Sequence, residues 1–313
     1  MPSSTSSSEQ QVQDRRTHRS IWAIVIGLVL IFLSSEIVTV VGIHHVSKIM
    51  RRTTQEYHDS EKLQSYSISG KPTMLLFGNS LLLEGVDYPA LRNALSAQYD
   101  VHRLIFEQTE YLDLYYVLRR LFRHGARPHD VVLCISASQI IADTARGDFM
   151  SRYLDEIDIV NLGRRQHLDA TTLSSLMLAH WSEWFAFRAE TRNALLGLVM
   201  PDMRDLATAF GRRRAPRVDP EEVRLKTEPR LRELKDLCDQ YGSRLTIVVP
   251  PSPRQNNDPV LASAGNSAGI RTLIPEEPGA MDFSFFRDGF HLNPTGAAVF
   301  TAKLQSQLAI PAH

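Results

Sequence analysis

The sequence predicts an α/β domain built on a parallel sheet and preceded by a membrane-spanning helix. Three observations predict it. Short apolar runs suited to buried strands recur at residues 73–78, 101–106, 130–136, 244–250 and 269–274. Helix-periodic segments fall between them, and strand–helix–strand order with short links implies parallel strands covered on both faces. Ahead of all this, residues 21–43 are almost wholly apolar.

Residues 1–20 are serine- and glutamine-rich, with Arg15, Arg16 and Arg19 near their end, and read as a disordered tail. Residues 21–43 would make a helix of roughly 34 Å, enough to cross a bilayer core. The apolar run is longer than that of a cleaved signal peptide and lacks a clear small-residue cleavage site, so an uncleaved anchor is expected. Arginines before the helix are balanced by Lys48, Arg51 and Arg52 after it. The short tail and the large following domain favour a domain on the exported side of an inner membrane. Glu36 lies within the span beside Ser34, Ser35 and Thr39. A carboxyl there either touches water near the exported end or forms a docking face for a polytopic membrane partner. Residues 44–71 are polar and read as a linker.

The α/β domain is expected over 72–144 and 219–313. Its first strand, Thr73–Gly78, runs through Asn79 to Ser80, and Gly78 is expected to supply backbone angles that a β-carbon forbids. Asp87 can cap a helix with Pro89 in its first turn. Leu114, Leu118, Leu121 and Phe122 share a helical face before Gly125, and Leu231, Leu234, Cys238 and Tyr241 repeat the pattern before Gly242. Asn293 and Pro294 start a last helix carrying Phe300 and Leu304. Residues 145–218 break the rhythm and read as a helical insertion with an aromatic knot at Trp181, Trp184, Phe185 and Phe187. It ends in a basic loop, Arg212-Arg213-Arg214-Ala215-Pro216-Arg217.

Lysine plus arginine number 35 and aspartate plus glutamate 35, so no charge bias points to nucleic acid. The two cysteines, Cys134 and Cys238, lie in apolar-patterned elements and are expected as buried free thiols. No Cys/His cluster has zinc-ligand spacing, and the turn at Gly78 lacks both a dinucleotide fingerprint and Gly-Lys-Ser/Thr. Neither metal nor cofactor is expected.

Ligands of open parallel sheets sit at the strands' carboxyl ends, which is where Ser80 falls. Asp288 and His291 precede the last helix in a loop that can reach the same edge. A serine becomes a nucleophile when a base takes its proton, and a carboxylate on the far imidazole nitrogen fixes the tautomer. Ser80, His291 and Asp288 are therefore the candidate catalytic residues.

With these residues the chain resembles the SGNH, or GDSL-type, serine hydrolases and acyltransferases. Gly78-Asn79-Ser80 matches their Gly-Asp-Ser block with Asn for Asp. Asp288-Gly289-Phe290-His291, followed by Leu-Asn-Pro-x-Gly, matches their last block. The resemblance covers roughly 72–310 apart from the insertion. It implies a three-layer flavodoxin-like fold, Ser80 as nucleophile, His291 as base then acid, and Asp288 as its orienter. The two middle blocks depart. Glu107-Gln108-Thr109 has no glycine after the second strand, and Ser136-Ala137-Ser138-Gln139 stands where Gly-x-Asn-Asp is usual. The oxyanion donors would then be Ser80, Gln108 and Ser138, with Gln139 as a substitute; losing one such donor can cost about 100- to 1000-fold in turnover.

Anchored relatives with such middle blocks resemble accessory acyltransferases that modify cell-envelope polymers beside a polytopic acyl-exporting partner. The expected function is thus an anchored serine esterase or O-acyltransferase acting on acylated cell-envelope polysaccharide. The alternative is an inactive protein of the same fold that serves a membrane acyl-transfer or polymer-export complex as a binding or assembly partner.

Overall fold

The computed structural model describes residues 6–43, 47–188, 192 and 219–309. Five strands form one parallel sheet: β1 (Thr73–Gly78), β2 (Asp100–Ile105), β3 (Asp130–Cys134), β4 (Arg244–Val248) and β5 (Arg271–Leu273), in the order β2-β1-β3-β4-β5. This is the flavodoxin-like doubly wound order, and the direction of winding reverses at β1 and β3. Each strand overlaps one of the five predicted apolar runs. β3 stops at Cys134 because the next turn begins at once, with Ser136 capping a short helix.

Alternation along the strands builds two cores. On one face Leu75, Phe77, Leu104, Val131, Leu133 and Ile247 pack with α5 (Tyr111–Arg123) and α11 (Pro220–Gln240). On the other, Met74, Leu76, Val101, Val132 and Val248 meet α4 (Tyr88–Leu95) and α13 (Pro294–Leu308). The helix starts follow local chemistry. Asp87 accepts from the Ala90 N–H at 3.1 Å and Asn293 from that of Gly296 at 3.0 Å, each with proline in the first turn.

Two expectations need correction here. The first helix, α1 (Ser6–Val38), starts well before the apolar stretch, so residues 6–20 are helical rather than a disordered tail; residues 1–5 lie outside the described set. Glutamate, glutamine and arginine are good helix formers that extend a helix once a longer one exists. A π-helical turn, Thr39–Ile43, ends it.

The polar stretch 44–71 is no simple linker, because it contains α2 (Lys48–Glu61). Met50, Thr53, Tyr57 and Ser60 recur at helical spacing and are buried, but two of the four are polar, which hides the stripe from a hydropathy reading. Glu56 is buried with them. It pairs with Arg103 at 2.6 Å and accepts the Ile105 N–H at 3.1 Å.

The insertion contains α7 (Asp148–Ser151), α8 (Glu156–Arg165), α9 (Ala170–Trp181) and α10 (Glu183–Ala186). Its described part, which runs to residue 188, is helical as expected and packs into the domain. Met150, Tyr153, Leu154, Ile159, Leu162, Leu176 and Phe187 join the first core. The expected basic loop 212–217 lies outside the described residues. Cys134 and Cys238 are buried and unbridged, and burial pushes the Cys134 thiol up to about 12.

Candidate active site

β1 delivers the chain to a turn at the sheet's carboxyl edge. Gly78 does not use a positive φ, contrary to expectation. A β-carbon there would lie 2.9 Å from the Cys134 carbonyl oxygen, so close approach of β3 is what requires glycine. Asn79, fully buried, then caps α3 (Ser80–Gly85): its side-chain oxygen accepts the Leu81 N–H at 3.0 Å. Its amide nitrogen donates to the Thr109 carbonyl at 2.9 Å. A carboxylate could cap the helix but has no proton to give Thr109. The Asn-for-Asp change in the motif is thus tied to the loop after β2.

Ser80 is the first residue of α3 and half-buried. The opposing loop is formed by a short 3-10 turn (Phe283–Phe285) and a bridge between Phe286 and Leu292. It places the His291 Nε2 atom 3.0 Å from Ser80 Oγ and the Nδ1 atom 2.8 Å from Asp288 Oδ2. Asp288 Oδ1 takes the N–H groups of Phe290 at 3.0 Å and His291 at 2.7 Å, and Gly289 between them takes φ +78°. Partial burial opposes ionisation of Asp288. The His291 N–H, the imidazole and the Phe290 N–H outweigh it and hold the carboxyl below its usual range. An ionised Asp288 has no proton, so Nδ1 carries one and Nε2 is left as the acceptor facing the Ser80 hydroxyl. Arg287 stands beside Asp288 at 3.9 Å and bonds Glu84 of α3 at 3.2 Å, closing the two segments together.

The other named residues are placed less tightly. Gln108 is exposed and has φ +58°, a left-handed conformation that glycine adopts freely and other residues seldom do. It therefore takes up a glycine-like backbone where the sequence has none. The Ser138 hydroxyl pairs with that of Ser136 at 3.1 Å, and the Gln139 side-chain oxygen accepts the Ser136 N–H at 3.1 Å, so Gln139 serves a capping box rather than an open site. Asp258, buried, holds this turn through the Ala137 N–H at 2.9 Å.

Sequence reading missed the supports of the loop after β2. Arg52 of α2 pairs with Glu107 at 2.9 Å, and Arg146 donates to the Glu107 carbonyl at 2.5 Å. Both come from segments read as linker or insertion, and no local signal marks them. Glu36 was singled out in the sequence, but its partner within the chain was not foreseen. Its carboxylate accepts from the Ser182 hydroxyl and from the N–H groups of Glu183 at 3.0 Å and Trp184 at 3.2 Å, so it binds within the chain. Among the described residues no group of three or more His, Cys, Asp or Glu side chains could hold a metal ion.

No protein-family model matches the sequence, and no curated protein does. Solved structures of the esterase Axe2 from Geobacillus stearothermophilus resemble the fold. A catalytic mutant described as an acetylxylan esterase aligns with a TM-score of 0.39 and 10% identity, covering 76% of this chain and 94% of that one. A second mutant, described as an acetyl-xylooligosaccharide esterase, aligns with a TM-score of 0.39 and 11% identity over 80% of this chain and 98% of that one. A likeness of that size decides neither substrate nor chemistry here.

Proposed function

We propose that the protein is a membrane-anchored serine esterase or O-acyltransferase of SGNH type, acting on acylated cell-envelope polysaccharide. The observation that carries this reading is the hydrogen-bonded chain from Ser80 Oγ through both nitrogens of His291 to Asp288. Ser80 Oγ attacks the acyl carbonyl while His291 Nε2 takes its proton. That proton passes to the departing alkoxide, leaving an acyl ester on Ser80. His291 then deprotonates water or a sugar hydroxyl, which takes the acyl group and frees the serine. Asp288 stabilises the imidazolium formed in each half. The Ser80 N–H, which has no intrahelical acceptor at the first position of α3, is assigned to the oxyanion with Gln108 and Ser138.

The helix Ser20–Gly42 is long and apolar enough to cross a membrane. That Glu36 is bonded to the folded domain supports retention of this helix rather than its removal as a signal sequence. The domain is assigned to the exported side of an inner membrane, with a polytopic acyltransferase as partner.

Purified full-length protein treated with a fluorophosphonate probe is expected to be labelled at Ser80, and Ser80→Ala to lose the label entirely. Labelling of equal strength in the alanine variant would remove Ser80 as nucleophile. A second reading, an inactive assembly partner of the same fold, is favoured by the Gln139 side chain being engaged in its own turn. In that case Ser80→Ala would leave the cellular phenotype intact, while removal of residues 1–43 would abolish it.

A further inference from the structure

The edge of the sheet that carries Ser80 is also the edge at which the chain leaves its apolar helix. Arg52, one turn into α2, pairs with Glu107 just beyond the end of β2. Glu56, a turn later, takes the Ile105 N–H, and beyond the helix the Ser65 carbonyl takes the N–H of Thr73 at the start of β1, 3.0 Å away. α2 therefore runs antiparallel to the strands, and its first turn is at their carboxyl ends. From Ile43 to Arg52 the chain can span at most about 25 Å, even with the residues before α2 fully extended.

The insertion leaves from this edge as well, and its tip returns to the apolar helix. Glu36 caps the turn at Ser182–Trp184, and the Trp184 ring meets Phe32 edge-on at 6.4 Å. Glu36 precedes the end of the apolar stretch, Gly42, by about 9 Å of helix. The tip is thus held against the last turns of the span, where hydrocarbon gives way to headgroups. Leu178 and Trp181, one turn apart on α9, and Trp184 stand exposed there at 41%, 64% and 39%. Indole rings favour that layer; the Trp181 N–H is already held by Glu156 at 2.9 Å, which leaves its apolar face for lipid. Lys48 and Arg51, both exposed on the first turn of α2, line an open hollow with Arg52, Thr54 and Gln55, and their charges suit anionic headgroups.

We infer that the Ser80 edge faces the bilayer, with Leu178, Trp181 and Trp184 seated in its headgroup layer, and that the acyl ester reaching Ser80 is one carried at the membrane surface. This rests on the anchored-esterase reading and adds to it where the substrate comes from. The occupant of the aromatic tip is lipid, because Glu36 fixes the tip to the span itself.

The test uses the full chain in lipid nanodiscs with Trp22→Phe, which leaves Trp181 and Trp184 as the only tryptophans of the original three. Lipids brominated on acyl carbons next to the headgroup are expected to quench the emission, because interfacial indoles sit at that depth. Emission unchanged by bromolipid would overturn the seating and leave a protein partner as the cover of the tip. A phospholipid bearing a fluorophosphonate on a long flexible linker is then compared with a water-soluble fluorophosphonate. Labelling of Ser80 by both supports the inference. Labelling by the soluble probe alone overturns it while leaving the serine chemistry standing. If neither labels, the serine chemistry fails, and the quenching result alone decides which way the edge faces.

Discussion

Asn79 does two things that an ionised carboxylate could not do together, capping α3 with its oxygen and holding the Thr109 carbonyl with its nitrogen. Asn79→Asp keeps the cap and sets a buried carboxylate oxygen against a carbonyl oxygen. The expected cost is about 1–3 kcal/mol of stability. The loop bearing Gln108 should shift with it and slow fluorophosphonate labelling of Ser80 by about 100-fold. Thermal melting and labelling rates check both; a variant that labels at the parental rate would disprove the tether. The motif residues Ser80, Asp288 and His291 were legible because each sits beside a strong local signal, a strand end or a helix start. Asn79's second bond was not, because its partner is thirty residues away and is set only when β2 pairs with β1.

The element that places His291 is the loop before α13, and its support is steric. A β-carbon on Gly296 would stand 2.5 Å from the Phe285 carbonyl oxygen and 2.9 Å from Leu292. Gly296→Ala must push the 3-10 turn away from α13, at about 1–3 kcal/mol for overpacking. It should also slow Ser80 labelling without touching any of the three reacting side chains. Gly85→Ala, where a β-carbon meets nothing within 4 Å, is the matched control and should label normally. Equal melting temperatures for the two variants would show that the loop yields freely. At this scale the strands, α4, α5, α11 and α13 were readable from apolar periodicity and caps. α2 was not, since Thr53, Glu56 and Ser60 fill its buried face, and their burial depends on partners such as Arg103 and the Ile105 N–H.

Across the whole molecule, Asp113 links the main domain to the insertion. Its carboxylate accepts the N–H of Glu110 at 3.1 Å and that of Arg146 at 2.9 and 3.1 Å. It is 1% exposed, and desolvation raises its pKa to about 7 against the backbone bonds that would lower it. A raised folded pKa means that the native state holds this proton more tightly than the unfolded chain does. Stability from this group is therefore complete below about pH 4 and lost as pH rises toward 7, by roughly 4 kcal/mol for a shift of about three units. Asp113→Asn should flatten the fall in melting temperature between pH 4 and 7; parallel curves for the two proteins would refute this. The helical character of the stretch after β3 was legible, since 145–188 lacks strand patterns. The fusion of that stretch to the core was not, because leucines on short helices do not reveal which surface they cover.

The covering of β2 has a consequence for copies of the chain that crowd together. α2 lies along this outer strand, and Glu56 already holds the Ile105 N–H. The opposite border, β5, is only three residues long. A helix laid over one margin and so short a strand at the other are both features that discourage a neighbour's strand from adding to the sheet and seeding lateral polymerisation.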